Sequence, residues 1–326
     1  MTVSILVCGV GDFGARHAAL VDDEPRSRLA GVVDLDGARA ETVAGGRVPA
    51  FTDLAAGLAA TTPDAVIVAT PEHAHVGDVE TSLAAGAHVL VEKPVALSAA
   101  AIDGLIGSAA AAQRHVLPAH VSRFLPEVAA LLAEACTPRH VHASRVVPGA
   151  RRGPHGRIHP AWMAMIHDLD LIAALLPSHC VVRVHAAERR TPGAGAHPDV
   201  CSALLDVQAG PVVSVDNVWL LPHERQYIDA RLRLTCDAHT VALATPGDAA
   251  VRITAAGEHR PDHAIDGRLA GQPVGALGVQ LRHLLDVVEG RTAPVVSLVD
   301  ARRAALLAEA VVAAAADGHP VEVEVR

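Results

Sequence analysis

Lysine is nearly absent from this chain: Lys93 is the only one among its 27 lysine and arginine residues. An arginine keeps its proton near neutral pH, whereas a lysine ammonium releases one when burial or a nearby positive charge lowers its pKa. A solitary lysine therefore invites a chemical explanation, the plain alternative being an ion pair with the adjacent Glu92. Aromatic residues make up only 2% of the chain, so its core must be built from alanine, valine and leucine. Positive charge is short as well, and a net charge of -9 excludes the basic footprint that a nucleic-acid partner requires. No apolar run reaches the roughly 18 to 20 residues of a membrane span, and no charged leader with a cleavage site opens the chain. A soluble, cytoplasmic protein without a membrane partner is expected. The five cysteines (Cys8, Cys136, Cys180, Cys201, Cys236) show no CxxC spacing, so neither a zinc knuckle nor a disulfide framework is suggested, and reduced, buried thiols are expected. Histidine is plentiful but dispersed and HExxH is missing, so no metal is expected.

What is present reads as two domains. A length of 326 residues with 51% apolar content exceeds one ordinary core. In the first third, buried β-branched runs at 3–8, 29–33, 65–69 and 88–91 alternate with helical stretches at 15–21, 54–60 and 76–85. That rhythm predicts an α/β domain, a doubly wound parallel sheet over residues 1–120, with ligands held outside the carboxyl ends of its strands. Residues 121–326 change period. Runs at 181–188, 200–207, 212–221, 227–236 and 240–244 follow one another without helices, punctuated by turns such as Ala209-Gly210-Pro211. They predict an α+β domain with a large, mostly antiparallel sheet. One face of that sheet is expected to cover the helix that begins at Trp162 and ends before Pro177. The other is expected to be apolar and to join subunits into a homodimer or homotetramer. Helices at 279–288 and 300–316 and a strand at 321–325 close the chain, with a C-terminal helix packing back on the first domain.

The first strand leads directly into Gly9-Val10-Gly11-Asp12-Phe13-Gly14. A GxGxxG alone is weak, but strand, glycine turn and helix in that order form a dinucleotide fingerprint. Gly9 permits the tight turn, Gly11 admits a pyrophosphate close to the backbone, and Gly14 lets the helix pack on the strand. Asp34, twenty residues after Gly14, ends the second strand where a carboxylate takes the ribose hydroxyls of NAD and repels the extra phosphate of NADP. Its alternative role is to cap a turn with Asp36 and Gly37, and Arg39 keeps NADP open. Thr70 and Pro71, and likewise Lys93, follow later strands and lie at the same edge.

Three stretches carry a resemblance: the glycine turn, Ala69-Thr70-Pro71-Glu72-His73-Ala74-His75, and Gly86-Ala87-His88-Val89-Leu90-Val91-Glu92-Lys93-Pro94. Met165-Ile166-His167-Asp168-Leu169-Asp170-Leu171 adds a fourth. In this order, over nearly the whole chain, they make the sequence resemble the glucose-fructose oxidoreductase, inositol dehydrogenase and MocA family of nicotinamide-dependent dehydrogenases. The resemblance implies that Lys93 is the active-site lysine, set by a cis bond before Pro94, with Glu92 and His75 in the same cofactor-binding surroundings. Thr70 and Pro71 line the nicotinamide side, and Asp12 and Phe13 belong to the cofactor turn. His167 matches the family histidine on the first helix of the second domain. Members related to inositol dehydrogenase carry an aspartate one helical turn before it, where this chain has Met163. The lost role falls to Asp168, Asp170 or water, or proton transfer is impaired.

The chemistry so implied is reversible oxidation of a secondary alcohol in a sugar, cyclitol or sugar derivative, with hydride going to nicotinamide and the hydroxyl proton to Lys93 or His167. Substrate contacts are expected from His120 and Arg123 at the domain crossover, from Arg151 in the basic loop 148–160, and from Trp162 and Met163. For His120 the alternative is a hydrogen-bonded core histidine, and for the loop a solvated segment or subunit contact. Trp219 and Tyr227 are read as core or interface residues. Two other functions stay open: a nicotinamide-binding sensor on the same scaffold, and reduction of an imine or enone.

Overall fold

A computed structural model describes residues 2–133, 136–152, 156–176, 180–192, 195–222, 227–245, 252–254, 257–259 and 263–325. Gly153, Pro154 and His155 of the basic loop, and Pro177, lie outside the described residues. Two compact units divide the chain: Met1–Phe124 with Ile265–Arg302, and Leu125–Ala264 with Arg303–Arg326.

The first unit begins β1 (Val3–Cys8), α1 (Asp12–Asp23), β2 (Ser27–Val33), α2 (Gly37–Ala44), β3 (Ala50–Phe51) and α3 (Leu54–Thr61). It continues β4 (Ala65–Val68), α4 (His75–Ala84), β5 (His88–Val91), α5 (Ala99–Ala112) and β6 (Val116–Pro118). The six strands are ordered β3-β2-β1-β4-β5-β6, all parallel. Strands β1 and β4 are buried throughout, as a sheet covered on both faces requires. The strand order reverses direction between β1 and β4, the point at which such sheets open a crevice. Helix starts are written locally: Asp36, Asp53 and Ser98 accept backbone bonds from Arg39, Ala56 and Ala101 and so cap α2, α3 and α5. By contrast Gly11, at the head of α1, supplies no side-chain cap, which leaves the amides of that first turn available.

In the second unit α6 (Pro126–Leu132) precedes β7 (His140–Pro148), a π-helical turn at Ala161–Met165 and α7 (Ile166–Leu175). Then come β8 (Cys180–Arg189), β9 (Val200–Val207), β10 (Val212–Leu221), β11 (Asp229–Thr235) and β12 (Thr240–Thr245). Short pieces follow: β13 (Arg252–Thr254), β14 (Gly257–His259), α8 (His263–Asp266), β15 (Arg268–Leu269) and β16 (Gln272–Pro273). The chain closes with α9 (Ala276–Val288), α10 (Leu298–Asp317) and β17 (Val321–Val325). The large sheet is ordered β12-β11-β7-β10-β9-β8-β17, and every neighbouring pair is antiparallel except β7 with β10. Its mixed character is consistent with the mostly antiparallel expectation. Helix α9 belongs to the first unit, where Leu277, Leu281, Leu284, Leu285 and Val287 join Val3, Ile5, Val7 and Ile67 in one core.

Two expectations are corrected. Cys136 and Cys236, read as reduced and unpaired, are joined in a disulfide with Cα atoms 6.2 Å apart across 100 residues of sequence. Pairing of β7 with β11, which sets Thr235 against His140, brings together the two chain segments that carry them. Spacing alone gave no sign of this, because the pairing is made by sheet register. Cys8, Cys180 and Cys201 are free and buried, as expected. The outward face of the large sheet is also less apolar than expected. Val181, Leu204 and Val212 are exposed there, but they alternate with Arg183, Asp206 and Glu322 in the paired rows, and Arg183 is bonded to Glu322.

Candidate active site

In the first unit the carboxyl ends of β1, β2, β4 and β5 gather most of the residues expected to bind a cofactor. Gly9 follows β1 with φ +81°, and a Cβ there would lie 2.6 Å from the Ala69 carbonyl carbon and the Thr70 nitrogen. A Cβ on Gly14 would fall on the Gly9 carbonyl oxygen, so this pair of glycines lets α1 start directly against the strand ends. At Gly11 a Cβ would meet nothing within 4 Å. Open space over an uncapped helix terminus suits the close approach of a diphosphate. Asp12 begins α1, and exposed Phe13 lies beneath the Arg16 guanidinium, 5.3 Å from its ring centre.

Asp34 is buried and held from two sides. Its Oδ2 accepts from the Val10 amide at 2.9 Å and its Oδ1 from the Asp36 amide at 2.9 Å, which ties the end of β2 to the glycine turn. The Arg39 guanidinium lies 3.2 and 3.4 Å from its two oxygens. The bond from the Asp36 amide, two residues on, is the turn contact considered for this carboxylate, and Asp36 itself caps α2. Leu35, between them, is 94% exposed, an apolar side chain offered beside the carboxylate that sequence reasoning passed over.

Strands β4 and β5 end in loops that one histidine joins. Buried His75 faces the Thr70 carbonyl with Nε2 at 2.7 Å and the Pro94 carbonyl with Nδ1 at 2.8 Å. The Thr70 hydroxyl donates to Asp78 at 2.6 Å. The Lys93–Pro94 peptide bond is cis, and the Lys93 side chain is half-buried. Glu92 turns inward. Its Oε1 accepts from His17 Nε2 at 2.9 Å, and its Oε2 receives the Lys93 amide at 3.3 Å. Burial works to raise the Glu92 pKa, but the bond from His17, the charge of that ring and the charge of Lys93 outweigh it, and the carboxyl sits below its ordinary range. His17, on α1 with 1% exposure, was missed from sequence. The available signal was an imidazole three residues after Gly14, on the buried face of a helix beside Ala18 and Val21.

Farther along, His120 is buried just after β6, and Arg123 lies in a short 3-10 turn at Val121–Phe124, still within the first unit. The remaining expected residues belong to the second unit. Trp162 and Met163 lie in the π-helical turn and His167, half-buried, in α7. Single π turns inside helices shift side-chain register and recur at functional sites. Met163 packs with Val147, Ala164 and Trp219 against Ile158 and Ile228, so the carboxylate position of the related dehydrogenases is here part of an apolar cluster. Asp168 does not stand in for it: both its oxygens are taken by the Arg145 fork at 2.8 and 2.9 Å. Asp170 is fully buried. The basic loop divides in the same way, because Arg151 is exposed while Arg152 binds buried Asp199 at 2.7 Å, and Asp199 in turn receives Thr191.

A family model describing an oxidoreductase family with an NAD-binding Rossmann fold matches residues 3–120. Across 99% of this chain and 97% of the relative, the sequence is 28% identical to inositol 2-dehydrogenase 1 of Saccharopolyspora erythraea. It is 38% identical to UDP-N-acetylglucosamine 3-dehydrogenase of Acidithiobacillus ferrooxidans over 52% of this chain and 53% of the relative. The solved structure of that enzyme, GnnA, superposes with a TM-score of 0.80 at 26% identity, covering 97% of this chain and 98% of its own. GenD2 from gentamicin A biosynthesis, solved in complex with NAD, shares the fold with a TM-score of 0.83 at 23% identity over 99% of this chain and 96% of its own. With its glycine turn, Asp34 and Glu92-Lys93-Pro94 all inside the matched residues, the domain formed by residues 3–120 belongs to the NAD-binding Rossmann domains of the Gfo/Idh/MocA oxidoreductase family.

Proposed function

We propose that this protein is a dehydrogenase that interconverts a secondary alcohol and a ketone on a sugar, cyclitol or sugar derivative, the substrate types named for its relatives. Lys93 and His167 handle the hydroxyl proton. The observation that carries this reading is the sole lysine of the chain, on the end of β5 beside a carboxylate whose direction is fixed by His17. Glu92 is committed to His17 and to the Lys93 backbone, so it orients the loop that carries the lysine amine.

Bound NAD supplies the hydride acceptor. For their part, Gly9, Gly11 and Gly14 make room for its diphosphate, the first turn of α1 offers amides to it, and Asp34 takes the ribose hydroxyls. Asp12, Phe13, Thr70, Pro71 and Pro94 complete the cofactor surface, with His75 holding the Thr70 and Pro94 loops together. Asp34 favours NAD over NADP. Substrate contacts are assigned to His120, Arg123, Arg151, Trp162 and Met163. Subunits associate as a homodimer or homotetramer through the outward face of the large sheet, where exposed Val181, Leu204 and Val212 lie among charged side chains such as the Arg183–Glu322 pair.

Lys93→Ala and His167→Ala should each keep NAD affinity while turnover falls by about 10²-fold or more, the usual weight of one acid-base group. Wild-type turnover in Lys93→Ala, measured as NADH formation over a panel of polyols and sugars, overturns the assignment. A second reading, a nicotinamide-binding sensor, is favoured by Met163 in its apolar cluster. Tight NAD binding by the wild type with no reduction across that panel selects it.

A further inference from the structure

Cys136, Cys236 and His239, none of them assigned a role above, meet at one corner of the large sheet, in the second unit. Cys236 and His239 are the two ends of the turn between β11 and β12, closed by the Cys236 amide bonding the His239 carbonyl at 2.9 Å. Cys136 runs beside that turn because the Arg139 amide bonds the Thr235 carbonyl at 2.8 Å and β7 starts in register with Thr235. The two sulfurs and an imidazole nitrogen consequently all lie within 4.8 Å of one another.

We propose that this corner is a binding site for a borderline-soft divalent cation, of which Zn²⁺ is the type, and that it opens when the Cys136–Cys236 disulfide is reduced. Two thiolates and an imidazole are the donor set of zinc and not of calcium or magnesium, which take oxygen ligands. Zinc to sulfur bonds of about 2.3 Å and zinc to nitrogen bonds of about 2.0 Å place tetrahedral ligands roughly 3.5 to 3.8 Å apart, and the three atoms here already lie within 4.8 Å of one another. A disulfide needs two sulfurs and no imidazole, so the third ligand is what distinguishes this corner from a covalent clasp. Neighbouring Asp237 does not compete, since its two oxygens take the Arg139 fork at 2.8 and 2.9 Å. Three protein ligands leave the fourth position to water.

The two states interconvert with balanced chemistry. A dithiol reductant gives two electrons and two protons to the disulfide, yielding two thiols and its own cyclic disulfide. Metal uptake then releases both thiol protons, and His239 binds through a neutral ring nitrogen.

The test uses the full chain, reduced with dithiothreitol, desalted without oxygen and titrated with Co²⁺, whose thiolate complexes show a charge-transfer absorption. Expected is one equivalent of Co²⁺ per chain with that absorption, displaced by Zn²⁺, and none in the oxidised protein. Cys136→Ser should abolish the absorption although Cys8, Cys180 and Cys201 remain. His239→Ala, a change at an exposed turn, should weaken binding by more than about tenfold, since loss of even an outer-shell partner costs that much. Absence of the absorption in the reduced wild type, its persistence in Cys136→Ser, or unchanged affinity in His239→Ala each overturns the proposal. Unchanged fluorescence of Trp162 and Trp219, the two tryptophans of the chain and both in the second unit, reports that the variants are folded, and His239→Ala carries the test if Cys136→Ser does not fold.

Discussion

The pair that organises the Lys93 loop is His17 with Glu92, and its energetics are set by burial. A carboxylate with little access to water is stable only while its partners stay, and removing one partner of such a pair typically costs about 3 kcal/mol or more. His17→Ala should therefore lower stability by roughly 3 kcal/mol, while His17→Gln, whose amide still donates, recovers part of the loss. The pH dependence has a definite sign. Because the folded-state pKa of Glu92 is depressed, its contribution is fully present above the ordinary carboxylate range and is lost as pH falls through the folded value. Urea midpoints of wild type and His17→Ala should accordingly differ most at neutral pH and converge in acid. A gap that widens in acid contradicts the assignment. Residues of this kind were the hardest to read from sequence. Asp34 and Lys93 announce themselves by motif position, whereas His17 acts through a contact 75 residues away that only the packing of α1 against the end of β5 creates.

At the scale of elements, the parallel sheet was legible because its central strands are continuous apolar runs and three of its helices carry their own start signal, Asp36, Asp53 and Ser98. The π-helical turn ahead of α7 was not legible, since the apolar stretch from Ala161 to Met165 has no periodic feature that separates it from an ordinary helix. Nor was the β7–β10 parallel pairing, because strand-like runs without helices between them read as antiparallel until register is known. One element carries a further titration. His88 opens β5, and its Nδ1 accepts from the His115 amide at 3.1 Å, with the two rings stacked 5.5 Å apart. Burial, then the charges of Arg114 and His115, push its pKa down to about 4. A proton bound at Nδ1 removes the acceptor that joins β5 to the start of β6. With the folded value below the unfolded one, the neutral ring stabilises fully above about pH 6.5, and that stability is lost as pH falls toward 4. In His88→Asn, whose side-chain oxygen still accepts, the loss in urea midpoint between pH 7 and pH 5 should be smaller than in wild type. An equal loss in both assigns the acid sensitivity to other groups, such as His159 and His283, which burial also lowers.

For the molecule as a whole, the order of the chain and the order of the cores differ. Sequence reading placed a domain boundary at residue 120, where the family match also ends, with a C-terminal helix packing back on the first domain; the core of the first unit includes α9, from more than 150 residues later. Leu277, Leu281, Leu284, Leu285 and Val287 of α9 are buried there against β1 and its neighbours. At about 2 kcal/mol for each buried aliphatic side chain, the helix contributes roughly 10 kcal/mol of burial. That is comparable with the whole net stability of an ordinary domain, about 5 to 15 kcal/mol. A fragment ending at Phe124 should for that reason keep its helix content but lose cooperative unfolding and bind a hydrophobic dye. Joining residues 265–302 to it through a flexible Gly/Ser linker should restore a sharp urea transition and NAD binding, because both the core and the glycine turn are then complete. Cooperative unfolding and NAD binding by the shorter fragment would show that α9 covers a core able to stand without it.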